Sequence, residues 1–267
     1  MRRDAQGEMS AFVRSGGGDR GALLAVFAHP DDESFRCGGT LALLARRGVR
    51  VQVLCATRGE AGVPGMAPQQ AGLIRQAELE CACRALGSAP PLFLDHRDGG
   101  LSQVDDEQAV AEIERVIQGL QPQVLLTWPP DGLSGHADHV AVSRWTGLAR
   151  EHAAAQGGRV ALYHLVLPQS VAQALQMPHL HAVPDEQVTL TVDVSSVWEQ
   201  KLAAIACHRT QAGASPILTA PAERQRLFLG KEHFRRVVAT EWSDLLVALR
   251  EEDGNVGRHQ RALASKS

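Results

Sequence analysis

Aromatic side chains are scarce in this chain of 267 residues, at 4% of the composition with a single Tyr, so aliphatic packing must build the core. Excess charge is also missing, because a formal net charge of −3 provides no basic surface for nucleic acid. The sequence has no apolar run of about 18 residues, which excludes a membrane-spanning helix. It also lacks a Walker motif, the glycine-rich signature of phosphate-binding loops in nucleotide-binding proteins.

The cysteines do not form a recognisable framework. Their number, five, is odd, and no Cys-x-x-Cys pair occurs, so a cysteine-based zinc site is not expected. We predict that all of them are reduced thiols in a cytoplasmic protein. They are Cys37, Cys55, Cys81, Cys83 and Cys207. Arg2 and Arg3 are not followed by an apolar segment, so we expect no secretory signal peptide.

The length fits one large domain better than two small ones. We predict a flexible N-terminal arm over 1–20, a single domain over 21–250 and a polar C-terminal tail over 251–267. Strand-like apolar runs alternate with helical patterns. This alternation predicts a Rossmann-like three-layer α/β fold, with a mostly parallel sheet and helices on both faces.

The late part of the domain departs from that alternation. Val188 to Asp193 is β-branched and alternating, which predicts an edge or antiparallel strand. Ser195 is predicted to cap a helix that carries Lys201 to His208. The charged segment from Pro221 to about Val238 is predicted to be a further helix.

The most informative segment is a polar cluster that follows an apolar strand pattern. Ala22 to Phe27 predicts a buried parallel strand, and directly after it comes Ala28-His29-Pro30-Asp31-Asp32-Glu33. Sites in open α/β sheets lie at the carboxyl ends of strands. A His and two carboxylates are costly to crowd there unless a cation offsets their charge. The alternative is that Asp31 or Asp32 only caps the helix that follows.

A second polar cluster repeats this arrangement. Gln123 to Trp128 predicts another apolar strand, and a Pro- and Gly-rich turn leads to His136-Ala-Asp-His139. Imidazole and carboxylate are the ligands of catalytic zinc, which keeps three protein ligands and one open position. His29, Asp32 and one of His136 or His139 would supply that set. The alternative is a pair of surface histidines at a helix N-terminus.

The two clusters together resemble the signature motifs of the PIG-L/LmbE-like zinc-dependent N-acetylglucosaminyl de-N-acetylases. The resemblance runs from about residue 22 to about residue 212. Weaker matches are Thr57-Arg58-Gly59-Glu60, Arg75-x-x-Glu78 and Lys201…His208-x-x-Gln211. The chain departs from the usual family pattern at Ala137, where Pro is common, and at Thr210, where Ser is frequent. Neither departure removes a ligand.

This resemblance implies roles for the residues of both motifs. His29, Asp32 and His139 would bind Zn²⁺, with another divalent transition metal as the alternative. Asp31 would be the general base beside the metal. His136, as a protonated imidazole, would stabilise the developing oxyanion.

Further residues receive supporting roles from the resemblance. Asp138 would be the carboxylate that supports His136. Substrate contacts are expected from Arg58, Arg75, Asp98 and His208. Each of these four also has an ordinary structural interpretation, as a surface arginine, a turn residue or a histidine at a helix C-terminus.

The implied reaction is hydrolysis of the acetamide in a small N-acetylated amino-sugar conjugate, giving acetate and the free amine. The aglycone stays open among malate, inositol, a second sugar and a lipid, and an oligomer is compatible with the sequence. One rival function is a magnesium-binding receiver-type phospho-switch that uses Asp95, but magnesium prefers oxygen ligands to histidines. The other is a metal-dependent sugar-binding protein without turnover, against which the intact Asp31 argues.

Overall fold

The computed structural model describes residues 20–213 and 215–240, together with 246 and 249. The predicted arm, apart from Arg20, and the predicted polar tail lie outside the described residues. The strands are β1 (Ala22–Phe27), β2 (Arg50–Thr57), β3 (Leu92–His96), β4 (Val124–Thr127), β5 (Ala161–Leu165), β6 (Leu190–Asp193) and β7 (Lys231–Val238). Within the described ranges the α-helices are α1 (Asp32–Arg46), α2 (Pro68–Leu86), α3 (Asp106–Leu120), α4 (Ala137–Ala155), α5 (Gln169–Leu175), α6 (Trp198–Cys207), α7 (Arg209–Ala212) and α8 (Ala222–Leu229).

The seven strands form one sheet in the order β3-β2-β1-β4-β5-β7-β6. The first five of these are parallel, while β7 runs antiparallel to both β5 and β6. The predicted α/β class with a mostly parallel sheet is therefore confirmed. None of the described helices is long and apolar enough to cross a lipid bilayer.

Both faces of the sheet are covered, which makes three layers. Leu23, Ala25 and Phe27 of β1 belong to a core cluster shared with α1, α2 and α6. Leu24 and Val26, which alternate with them, belong to a second cluster shared with α3 and α4. A parallel strand buried on both faces reads as a continuous apolar run, and the sequence of β1 has this character.

The topology brings the two polar clusters together. Strands β1 and β4 are neighbours and parallel, so the loops that follow them leave the same edge of the sheet. The chain continues from β1 to β2 on one side and from β4 to β5 on the other. This is a topological switch point, where the two loops diverge and leave a crevice between them.

The predicted helix from Pro221 to Val238 is wrong in its second half. Helix α8 ends at Leu229, and β7 follows as a strand between β5 and β6. The charges of this segment suggested a solvated helix face, but Phe234 is fully buried and Glu232 and His233 are nearly so. Tertiary pairing outweighs local propensity here, because β7 joins β6 to the rest of the sheet.

A side-chain cap begins helix α3, whereas the cap predicted at Ser195 does not form. The Asp105 side chain accepts the Gln108 N–H at 3.0 Å. Ser195, however, begins a short 3₁₀ turn, and the helix that follows starts only at Trp198.

A buried ion pair joins the C-terminal part to the first helix. Lys201 Nζ of α6 lies 2.7 Å from Glu232 Oε1 of β7, and both side chains are at most 1% exposed. The Glu232 carboxylate also accepts the backbone N–H groups of Gly39 and Thr40 in α1, at 2.8 and 2.7 Å. Because an unpaired buried charge is costly, this arrangement holds α6, β7 and α1 in one relative position.

The prediction of five reduced thiols is also wrong. Cys81 of α2 and Cys207 at the end of α6 form a disulfide, and the described free cysteines are Cys37, Cys55 and Cys83. The two bonded residues are 126 positions apart, so sequence spacing gave no indication of the pair. The thiol argument for a cytoplasmic protein therefore fails, and the compartment stays a prediction.

We expect the disulfide to stabilise the fold by about 2–5 kcal/mol, since it closes a long loop in the unfolded chain. Urea unfolding with and without a thiol reductant measures this difference. A variant carrying both Cys81→Ser and Cys207→Ser is the matched control, because the reductant should leave its unfolding curve unchanged. Five titratable thiols in the unfolded, unreduced wild type would contradict the bond.

Candidate metal centre

The loop after β1 has a strained turn at Asp31. Its φ of 103° lies in the left-handed region, which residues other than Gly rarely adopt. Although Asp31 precedes the first residue of α1, its side chain makes no capping hydrogen bond. The alternative interpretation of this acidic pair as a helix cap is therefore not supported for Asp31. Backbone strain of this kind concentrates at functional sites.

The Asp32 carboxylate is held by one of its two oxygens. Oδ2 accepts the backbone N–H groups of Ala28 and His29, at 3.2 and 3.0 Å, and the Trp128 Nε1–H at 3.3 Å. The other oxygen, Oδ1, lies 3.5 Å from His139 Nε2. The carboxylate is thus fixed by one oxygen and presents the second to the crevice.

The His29 ring is oriented by two other carboxylates. Its Nε2 lies 3.1 Å from Asp98 Oδ1 and 3.2 Å from Asp138 Oδ2, so this nitrogen carries the proton that is donated to them. The opposite nitrogen, Nδ1, faces Asp32 at 3.8 Å. A carboxylate partner on the far nitrogen is the usual way to fix the tautomer of a metal-binding histidine.

His139 is fixed in the same manner by a backbone carbonyl and an aromatic ring. Its Nδ1 donates to Gly132 O at 3.1 Å, which leaves Nε2 directed toward Asp32. The ring stacks on Trp128 with centroids 4.3 Å apart and planes inclined by 4°. Trp128, which ends the second predicted strand, therefore supports two of the predicted ligands at once.

His29, Asp32 and His139 form a set of potential ligands, with one donor atom each and all three atoms within 4.8 Å of one another. Their residue types are those of a catalytic zinc site. A second trio, His29, His136 and Asp138, meets the same spacing. The Asp138 carboxylate, however, is fully buried and already accepts the N–H groups of Gly99 and Leu101. The first trio is therefore the better metal centre.

The charges of this cluster are balanced by protons when no metal is bound. Burial alone would lower the pKa of His29, but Asp138, Asp98 and Asp32 outweigh it and raise the pKa to about 10. Burial would likewise lower the pKa of His139, but the charge of Asp32 outweighs burial and raises it. In return, His139 and His29 overcome the effect of burial on Asp32 and lower the pKa of that carboxyl group. A divalent cation fits this set because it would neutralise the same carboxylates in place of the protons.

Asp31 is set apart from these ligands. Its side chain is 23% exposed, and burial followed by the charge of Asp32 raises its pKa to about 7. Arg75 Nη2 lies 3.4 Å from its Oδ2. A carboxyl group that titrates near neutral pH and makes no strong ion pair has the properties of a general base.

His136 lies at the exposed rim and caps α4. Its Nδ1 accepts the Asp138 backbone N–H at 3.2 Å, so the neutral ring carries its proton on Nε2. Partial burial, and then His29 and His139, lower its pKa below the ordinary 6.5. The expected imidazolium is thus disfavoured. The Asp138 carboxylate contacts His29 and not His136, which corrects the predicted pairing of these two residues.

Two residues predicted to bind substrate are buried behind the site. Arg75 is 3% exposed, and its guanidinium donates to Pro30 O at 2.5 Å and to Gly59 O at 2.8 Å. His208 is fully buried, and its Nε2 lies 2.7 Å from Glu33 Oε1. Direct substrate contact by either side chain is therefore not supported. Both hold the loop that carries Asp31.

The other two predicted substrate residues lie nearer the surface. Asp98 contacts His29 and accepts the Ala61 N–H at 2.9 Å, so it orients a ligand. Arg58 donates to Asp95 at 2.6 Å and stacks over Phe93. It lines a cavity of about 490 Å³ on the β3 side of the site. Asp95 itself is 58% exposed and directed to Arg58, away from the acidic pair.

A cavity of about 370 Å³ opens onto the acidic pair. Its lining residues are Asp31, Asp32, Phe35, Arg36, Trp128, Gln211 and Ser215. Two further residues support the site, although their sequence context gave them no role: Glu33 accepts the Asp31 N–H, and Trp128 donates to Asp32. Glu33 belongs to the first motif and Trp128 directly precedes the second turn, so closeness to a motif was the one sequence feature that could have identified them.

Comparison with known proteins adds independent observations. A family model described as GlcNAc-PI de-N-acetylase, PIG-L, matches residues 24–149. The 1D-myo-inositol 2-acetamido-2-deoxy-alpha-D-glucopyranoside deacetylase of Rhodococcus jostii is 33% identical, and the match covers 79% of this chain and 90% of that protein.

Solved structures resemble the fold at lower identity. The N,N'-diacetylchitobiose deacetylase of Pyrococcus horikoshii has a TM-score of 0.62 and 17% identity, covering 92% of this chain and 98% of that one. The 4-carboxy-2-hydroxymuconate hydratase of Pseudomonas putida has a TM-score of 0.63 and 22% identity, covering 84% of this chain and 99% of that one. A similar fold thus serves both a deacetylase and a hydratase, so the fold alone does not determine the reaction.

We expect the purified protein to bind about one divalent transition metal per chain, and His139→Ala to lose it, because three protein ligands are needed at such a site. Elemental analysis after dialysis measures the metal content. His181→Ala is the matched control, since His181 is an exposed histidine near Asp131 and outside the trio. Full metal occupancy in His139→Ala would refute the ligand assignment.

Proposed function

This chain belongs to the PIG-L family of GlcNAc-PI de-N-acetylases, and we propose that it removes the acetyl group from an N-acetylglucosamine-type conjugate at the centre formed by His29, Asp32 and His139. The observation that carries this proposal is the position of Asp31. It is a partly exposed carboxylate that pairs with Arg75 at 3.4 Å, and it is adjacent to the ligand set without belonging to it. Hydrolysis needs such a base beside an electrophilic centre.

Zinc is the metal that we propose for this centre. Two imidazoles and one carboxylate, each held by a hydrogen bond on its far side, match the ligands and supporting contacts of catalytic zinc sites. When bound, the ion would supply Lewis-acid polarisation of the acetamide carbonyl.

Asp31 provides the proton transfers of the reaction. Its carboxylate, next to the ligand set and open to the cavity, takes a proton from the attacking water. The same group, now protonated, delivers that proton to the departing amine. The strained backbone at Asp31 leaves its side chain at the cavity, whereas Asp32 Oδ1 faces His139, the proposed ligand from the second motif.

His136 acts on the charge that develops on the carbonyl oxygen. Because its Nδ1 accepts a backbone N–H, its Nε2–H is the donor available to substrate. A neutral imidazole held in this way stabilises an oxyanion by a preorganised hydrogen bond. Asp138 supports the reaction from the His29 side.

The substrate class that we propose is an acetamido-sugar joined to a polar aglycone. The Rhodococcus relative acts, by its name, on an acetamido-glucopyranoside of inositol. The cavity of about 490 Å³ beside Arg58 lies next to the loop that contains Asp98 and would receive a polar aglycone. The polar members of its lining, which include Arg58, Glu60 and Gln69, could bind hydroxyl groups.

The two rival functions have less support. A receiver-type magnesium switch would need Asp95 beside the acidic pair, but Asp95 pairs with Arg58, and two histidines face Asp32 instead. A sugar-binding protein without turnover would not need the base that Asp31 offers. The chain's family is one of de-N-acetylases, which favours turnover.

Acetate release is the test of the proposed function. We expect the zinc-loaded protein to release acetate from at least one member of a panel of N-acetylglucosaminyl conjugates with inositol, malate, a second sugar or a lipid. Asp31→Asn should keep its metal but lose turnover by roughly 10²-fold or more, because the amide cannot take the proton.

Two outcomes would count against the proposal. If no conjugate of the panel releases acetate, the proposed de-N-acetylation is refuted. Equal loss of metal and activity in Asp31→Asn would make Asp31 a structural residue or a ligand in place of a base.

We expect His136→Ala to lower kcat by roughly 10²–10³-fold with little change in KM, because the lost hydrogen bond acts only in the transition state. Partial burial, and then His29 and His139, lower the pKa of His136, so the neutral ring is favoured at neutral pH. The pH–rate profile of the variant should therefore keep the wild-type shape above pH 6.5, at reduced height. Disappearance of a basic limb would indicate that His136 works as an imidazolium. Loss of metal would mean that His136 is a ligand.

A further inference from the structure

Glu33 connects the Asp31 backbone to a buried histidine. Its carboxylate is 1% exposed, and Oε2 accepts the Asp31 backbone N–H at 3.1 Å. Oε1 accepts from His208 Nε2 at 2.7 Å and also from the Ser34 hydroxyl. Each oxygen of this carboxylate therefore has a defined partner, and one of these partners is the residue proposed as the base.

The conformation of Asp31 needs such a partner. A φ of 103° is unfavourable for any residue with a Cβ atom, so the surrounding contacts must hold it. Asp31 O accepts the N–H groups of Ser34 and Phe35 in the first turn of α1, at 3.1 and 3.3 Å. On the preceding side of the turn, Glu33 accepts the Asp31 N–H and Arg75 donates to Pro30 O. Loss of either contact would allow the peptide to rotate and would move the Asp31 carboxylate.

His208 is itself fastened to helix α2 from both sides. The preceding residue, Cys207, is bonded to Cys81, and Thr210 donates its backbone N–H and its hydroxyl to Glu78 at 2.9 and 2.6 Å. Helix α2 also carries Arg75. Helix α2 therefore supplies Arg75 directly and anchors the histidine that pairs with Glu33 of α1.

We propose that Glu33 and His208 are a buried positioning pair, which fixes the strained Asp31 turn so that its carboxylate faces the substrate carbonyl. This inference rests on the proposed role of Asp31 as base. Neither residue touches substrate, because both side chains are at most 1% exposed. His208 acts by donating to Glu33, and Glu33 acts by accepting from Asp31.

A displaced base lowers the rate of the chemical step more than it lowers substrate affinity. A misplacement of about 1 Å is enough to cost on the order of 10²-fold in rate. The proposed metal ligands are held by other contacts, so a variant with a lower rate should still bind the same amount of metal. Substitution of His208 should therefore lower kcat and leave KM and metal occupancy unchanged.

The experiment compares His208→Gln with His208→Asn. The Gln side chain can bring its amide nitrogen to the place of Nε2 and donate to Glu33, whereas the shorter Asn cannot reach it. We expect His208→Asn to lower kcat by about 10–10²-fold, with unchanged KM and metal content, and His208→Gln to recover most of that loss. His164→Asn is the matched control, since His164 is 5% exposed and lies on β5 away from Asp31.

A second readout does not depend on turnover. Hydrogen exchange of the Asp31 amide, followed by NMR, should be slow in the wild type and in His208→Gln and faster in His208→Asn. If the wild type releases no acetate from any conjugate, the proposed function fails while this arm still tests the pair. Equal kcat and equal Asp31 protection in His208→Asn and the wild type would overturn the inference. Equal damage by Gln and Asn, or by His164→Asn, would reduce His208 to a packing residue and overturn it as well.

Discussion

The Asp32 carboxylate is the constraint on which the site depends. Three N–H groups converge on its Oδ2, two from the backbone after β1 and one from the Trp128 ring after β4. This single atom therefore ties together the loops of two neighbouring strands. Its other oxygen is left toward His139, and the same Trp128 supports the His139 ring by stacking. Ligand spacing is thus a consequence of how two strand ends are joined.

Behind the ligands lies a layer of buried polar groups that performs no chemistry of its own. Asp98 and Asp138 orient His29, while Glu33 and Arg75 hold the Asp31 turn. Each of these side chains makes at least one hydrogen bond to a distant part of the chain, although Arg75 Nε has no partner. Buried polar groups are stabilising only when they are paired, so this layer is rigid and keeps the carboxylates in place. Precision at the centre follows from that rigidity.

The sequence predicted that His29, Asp32 and His139 converge, which the structure confirms, but it predicted the residues around them less well. The two polar clusters could be read because each directly follows an apolar strand, and neighbouring strand ends converge. Arg75 and His208 were misjudged because a motif does not tell whether a polar side chain faces substrate or supports a neighbour. The charged residues of β7 suggested a solvated helix. Glu232 is instead buried, because it pairs with Lys201 of a helix that is distant in sequence. The Cys81–Cys207 disulfide was not predicted for the same reason, because sequence spacing carries no information about contacts between residues 126 positions apart.

The position of β7 has a consequence for synthesis on the ribosome. Among the described strands, β6 has β7 as its only sheet neighbour, so it cannot enter the sheet until β7 has emerged. Lys201 likewise lacks its carboxylate partner until Glu232 is made. The nascent chain can assemble β1 to β5 with the loops after β1 and β4 first, yet the α6 corner that carries His208 gains this support only once β7 has been made. Among the described strands, β7 therefore comes last in the chain and completes the support of a site whose loops follow β1 and β4.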